Sequence, residues 1–151
     1  MIRVLGVSVV FLALTLVFPP VSGASLEISD AWIREAPPTA SVLAAYMVIH
    51  NAGAASAEIS LITSPDFGHV EMHRTVVENG VASMVPIGKL EIPPGEQITL
   101  KPGGTHLMLI DPRRPLHEGD TVTLTFQYTD GQKGTFPIPV IRQTGELEHH
   151  H

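Results

Sequence analysis

Residues 70–87 read VEMHRTVVENGVASMVPI, two strand-like runs separated by Asn79-Gly80. Asn-Gly suits a two-residue type I′ turn, because both central residues must take positive φ and these two tolerate it best. A turn of that length sets the register of the strands it joins. Glu78 then faces Val81, and Thr75 faces Met84. Side chains alternate between the faces of a strand, so His73 and Met84 emerge on one face as diagonal neighbours, roughly 7–8 Å apart at the backbone. A three-residue loop would send them to opposite faces.

The same punctuation recurs along the chain. Pro93-Pro94-Gly95, Pro102-Gly103-Gly104, Glu118-Gly119-Asp120 and Asp130-Gly131 separate β-branched, apolar runs over 26–33, 42–50, 57–63, 97–100, 105–110, 121–128 and 135–141. Nothing sustains a 3.6-residue period with caps, so at most a turn or two of helix is expected. Eight or nine short strands predict an all-β domain, a Greek-key sandwich or barrel.

The two ends stand apart from this pattern. Met1-Ile2-Arg3, an apolar run over 4–18, and small residues at Ser22 and Ala24 have the form of a signal peptide cleaved after Ala24. The apolar run falls short of the roughly 20 residues needed to cross a bilayer. Leu147-Glu148-His149-His150-His151 has the form of a cloning scar and purification tag, so its histidines carry no argument. Residues 25–146 are then one exported domain, expected in the periplasm or cell envelope without a transmembrane span.

Nine Lys and Arg against fifteen Asp and Glu leave a formal charge of −6. That balance argues against nucleic acid, whose phosphates require clustered positive charge. With no cysteine in the chain, disulfides, thiol chemistry and a blue-copper electron-transfer site are excluded together.

The soft donors that remain are methionine and histidine. His106 and Met108 lie two apart in the strand-like run THLM and share a face, making a second pair on a strand that a Greek key could bring to the His73–Met84 hairpin. Two imidazoles and two thioethers are neutral and soft, which suits Cu(I) far better than Mg, Ca or Mn. The competing reading is that these residues are ordinary strand and core material. Met47 reads as core, His50 as a strand end and His117 as a solvated loop residue. Met72 has the wrong parity for the His73 face, and His69 stands about 13 Å along the strand from His73 at roughly 3.3 Å per residue.

The spacing His73, ten residues, Met84, twenty-one residues, His106-x-Met108 resembles the H(M)x10Mx21HxM signature of the periplasmic copper chaperones of the PCu(A)C family. The segments ENGV, IPPGE, LKPGGTHLMLI and PLHEGD are similar to that family as well. Arg74 stands where some members carry an optional methionine. The resemblance implies a cupredoxin-like β-sandwich that binds one Cu(I) per chain through His73, Met84, His106 and Met108. It also implies a non-enzymatic role in copper supply to the binuclear centre of cytochrome c oxidase. The expected partners are the copper subunit of that oxidase or a Sco-type protein, and a monomer is expected. Copper sequestration with the same four ligands is the alternative, followed by a metal-free β-sandwich interaction module. Since imidazole ligates only when neutral, metal binding should weaken in acid.

Overall fold

The computed structural model describes residues 23–142. The tag reading, and the leader reading up to Ser22, fall outside the described residues. The strands are β1 (Leu26–Arg34), β2 (Val42–Asn51), β3 (Ala57–Thr63), β4 (Phe67–Glu78), β5 (Val81–Ile87), β6 (Leu90–Ile92), β7 (Gln97–Leu100), β8 (Thr105–Pro112), β9 (Thr121–Tyr128) and β10 (Lys133–Ile141). No helix occurs among the described residues.

The strands are hydrogen-bonded in the order β5-β4-β8-β2-β1-β10-β9-β3-β6, with β7 also on β2. Strand β10 pairs in parallel with β1 at Ile33–Val140 and Arg34–Ile141, while the other pairings are antiparallel. This parallel seam joins the β5-β4-β8-β2-β1 half to the β10-β9-β3-β6 half, and the two halves enclose the core as in a cupredoxin-like sandwich. One half contributes Ile33, Ala45, Met47, Ile49, Leu107 and Leu109, and the other Ile59, Val122, Leu124, Phe126 and Ile138. The regular inward-outward alternation of β9 is what a sheet with one buried face requires. Full burial of each large aliphatic side chain contributes about 1.5–3 kcal/mol.

Strand β6 adds to the sequence expectation, and the limits of β1, β2, β4, β8 and β10 move by one to three residues, most at the start of β4. Strand β6 is three residues squeezed between Gly88 and Pro93, too short for alternation to register, yet it completes an edge by pairing Leu90 with Ile59. Strand β4 starts at Phe67, ahead of Gly68, which would ordinarily signal a break. Gly68 is accommodated because a Cβ there would stand 3.0 Å from the Cβ of Asp111 on the neighbouring strand. The close approach of β4 and β8 therefore uses the missing side chain.

Asn51 is the fold's principal buried polar residue, fully enclosed at the end of β2. Its Nδ2 donates to Ala55 O at 2.8 Å and Ile92 O at 2.9 Å. Its Oδ1 accepts from Gly53 N at 3.0 Å and Ser25 N at 3.3 Å. One amide thus ties the start of the domain to β6 and to the β2–β3 turn. Gly53 fits there because a Cβ would lie 2.4 Å from Gly23 O.

Candidate functional site

Asn79 and Gly80 both have positive φ, 52° and 78°, the type I′ pattern. Pairing runs Glu78–Val81, Thr75–Met84 and His73–Pro86, so the register set by the two-residue turn is the observed one. His73, Thr75 and Met84 face one way. Met72 faces the opposite way into the core, which matches its parity.

Strand β8 brings the second pair alongside. Its antiparallel register on β4 sets His73 against His106 and Glu71 against Met108. Leu107, between the two, points into the core and opposes Met72. On its other side β8 pairs with β2, where the small Ala44 stands opposite Met108. That small side chain leaves room for a cleft of about 440 Å³ bordered by Met84, His106, Met108, Thr75, Tyr46 and Arg34.

The far wall of the cleft has a local cause. A register shift in β1 between Ser29 and Trp32, with Asp30 at φ 49°, is a β-bulge that re-aims the strand. Trp32 then packs on Tyr46 with ring centroids 4.6 Å apart. The Arg34 guanidinium lies 5.7 Å and 5.8 Å from these two rings, within cation–π range.

The four predicted residues differ in exposure. His106 is 6% exposed and Met84 is 59% exposed, with Met108 between. The His73 side chain is 13% exposed. The His73 and His106 rings are 6.3 Å apart, tilted by 36°. Two imidazoles on one four-coordinate ion, each about 2 Å from nitrogen to metal, would place their centroids roughly 5 Å apart, so the two rings would have to approach by about 1 Å to share it.

Hydrogen bonds assign the ring protons. His106 Nδ1 lies 3.0 Å from Gly104 O, and a carbonyl only accepts, so Nδ1 donates and Nε2 keeps the lone pair. His73 Nε2 lies 2.8 Å from Glu71 Oε2, so by the same logic Nε2 donates to the carboxylate. In the neutral ring that leaves His73 Nδ1 with the lone pair, and this atom is buried with no hydrogen-bond partner among the described residues. Buried polar atoms are nearly always satisfied. An orphaned imidazole nitrogen beside a second histidine and two thioethers is what a soft-metal donor set requires.

Glu71 was not among the residues singled out from sequence. Its carboxylate reaches His73 at 2.8 Å and His69 Nε2 at 3.4 Å, and the hydrogen bond from His73 holds its carboxyl below the ordinary value of 4.5. The signal available was parity: 69, 71 and 73 share a face of one strand. His69 therefore touches the site through Glu71. The other histidines among the described residues lie elsewhere, His50 beside Glu27 at 3.4 Å and exposed His117 at 3.7 Å from Glu35. Met47 is core.

Comparison with known proteins fits this architecture. The family described as "Putative lipoprotein LpqE-like" matches residues 26–140. A relative from Leifsonia xyli subsp. xyli, "Putative lipoprotein Lxx21020", is 29% identical over 126 residues, covering 83% of this chain and 75% of its own. The structure described as "Copper-bound PCuAC domain from PmoF2" superposes with a TM-score of 0.64 at 20% identity, over 78% of this chain and 92% of that one. The solution structure of CuI-DR1885 from Deinococcus radiodurans gives a TM-score of 0.60 at 28% identity, over 79% and 78%. With its family match spanning nearly the whole described domain and its fold shared with PCuAC domains, the chain belongs to the LpqE-like family, of the PCuAC type.

Proposed function

We propose that this protein binds one Cu(I) through His73, Met84, His106 and Met108 and carries it, without catalysis, to a copper-accepting protein of the cell envelope. The observation that carries the reading is the orphaned, buried His73 Nδ1, on a residue that shares its sheet face with Met84, His106 and Met108, all neutral soft donors. Two imidazole nitrogens and two thioethers leave the ion's charge uncompensated, which favours the monovalent state, and thioethers favour it further. Four protein ligands leave no open position for a substrate, so the site suits carriage over chemistry.

Delivery to the binuclear centre of cytochrome c oxidase, directly or with a Sco-type partner, is the finer part of the proposal and comes from the family resemblance. The exposure of Met84 supports transfer over storage, since an incoming ligand can displace an exposed thioether without opening the fold. Copper-loaded structural relatives support copper as the cargo.

The test is anaerobic Cu(I) titration of the chain ending at Glu146 against a chromogenic chelator. One tight site is expected, lost on combined Met84→Ala and His106→Ala substitution. Retention of wild-type binding in that double variant would sink the ligand assignment. Mixing the loaded protein with an apo oxidase copper domain should then move the metal, whereas a storage protein would keep it.

A further inference from the structure

We infer that Glu71 is a positioning residue for copper binding: by accepting the His73 Nε2–H it directs the metal to Nδ1 of His73, while the Gly104 carbonyl directs it to Nε2 of His106. This rests on the proposed function and deepens it by naming what orients the ligands.

The argument starts from the two faces of β4. Glu71 and His73 are neighbours on the same face, and the 2.8 Å contact between their side chains is short enough for a charge-assisted hydrogen bond. A neutral imidazole has one donor and one acceptor nitrogen, so engaging Nε2–H with a carboxylate selects the tautomer with a bare Nδ1. That bare nitrogen is the buried atom with no partner. Without Glu71, the ring would redistribute its proton between the two nitrogens and turn more freely. Both changes reduce the fraction of chains ready to ligate.

A second interaction holds the carboxylate itself. His69 Nε2 approaches Glu71 Oε1 at 3.4 Å while His73 takes Oε2, so each carboxylate oxygen has a histidine neighbour. Strand register adds a further constraint, because Glu71 faces Met108 across β4 and β8. The orienting carboxylate thus stands next to a thioether donor. His106 differs in that its orienting acceptor is a backbone carbonyl two residues away, which no side-chain substitution removes. The two histidines are therefore unequal: one is held by the backbone and the other by a replaceable side chain.

The experiment uses the full chain with 15N-labelled histidine. Long-range proton–nitrogen correlation spectra of the metal-free protein report each ring's tautomer, with His73 assigned by its loss in His73→Gln. Wild type should show His73 protonated at Nε2, and Cu(I) loading should shift His73 Nδ1 and His106 Nε2. Glu71→Ala should give a mixed His73 tautomer and bind Cu(I) roughly 10- to 100-fold more weakly, the range for lost outer-shell partners. Glu71→Gln, whose amide oxygen still accepts, should fall between the two. The carboxylate is solvent-exposed in part, so the thermal unfolding midpoint should move little in either variant, far less than the copper affinity. A wild-type His73 protonated at Nδ1, or a Glu71→Ala protein with wild-type tautomer and affinity, overturns the inference while leaving copper carriage intact. Failure of the wild type to bind Cu(I) overturns both.

Discussion

If one face of the β4–β5 hairpin is the ligand face, moving a methionine by a single residue should abolish its contribution without changing composition. The paired substitution Ser83→Met with Met84→Ser does this. The turn at Asn79-Gly80 keeps Glu78 against Val81, so the methionine then stands opposite Val76 in place of Thr75, on the far side of the sheet. Both positions are exposed, and exposed substitutions away from caps and strained backbone change stability by roughly 0.5 kcal/mol or less. Binding should respond quite differently. Loss of even an outer-shell partner weakens metal affinity about 10- to 100-fold, so loss of a direct donor sets that range as a floor, about 1.4–2.7 kcal/mol. The assay is chelator competition for Cu(I), run beside urea unfolding of the same samples, with the single Met84→Ser variant as reference. The swap should match the single variant in affinity and the wild type in unfolding midpoint. Wild-type affinity in the swapped protein would refute the facial argument, because a methionine on the wrong face would then be serving equally well.

Two further predictions concern the scaffold. Asn51→Ala should destabilise by about 2.5–4.5 kcal/mol, counting about 1–3 for the buried Ile92 carbonyl left unpaired and about half a kcal/mol for each of the three partly buried contacts; a change under about 1 kcal/mol in urea unfolding would show that water replaces the amide. Acid stability should depend on Glu35 and Asp120. The Arg142 guanidinium, at 2.6 Å and 3.2 Å, holds the Glu35 carboxyl below its ordinary 4.5, and the His117 backbone N–H, then Arg114, hold Asp120 below 3.8. Folded values below unfolded ones stabilise the protein above the ordinary carboxyl range, and that stabilisation is lost as pH falls through the depressed values. Arg142→Met should therefore lower the unfolding midpoint at neutral pH and shrink its decline from about pH 6 to about pH 3. A parallel decline in both proteins would remove Glu35 from the account.

The parts of this molecule that could be read from the sequence are those fixed by local chemistry. Asn79-Gly80 admits one efficient turn, the turn sets a register, and the register assigns a face to each of His73, Met72 and Met84. The same parity puts His106 and Met108 together around a core-facing Leu107. What adjacency in sequence could not supply was the meeting of the two pairs, since the His73–His106 register across β4 and β8 depends on the long path of chain between them. The same holds for Asn51: beside a small-residue turn it resembles turn material, and only the approach of Ile92 and Ser25 makes it a buried clamp. Glu71 is the instructive intermediate. Its face was legible from parity alone, but its relevance follows from the identity of the imidazole nitrogen it engages, and that emerges only when the ring's orientation is known. The candidate donor types can thus be read in one dimension, whereas the tautomers that would let them ligate are a property of the folded sheet. A sequence retaining His73, Met84, His106 and Met108 but lacking an acceptor at position 71 would keep the spacing signature and, on this reasoning, bind copper less tightly.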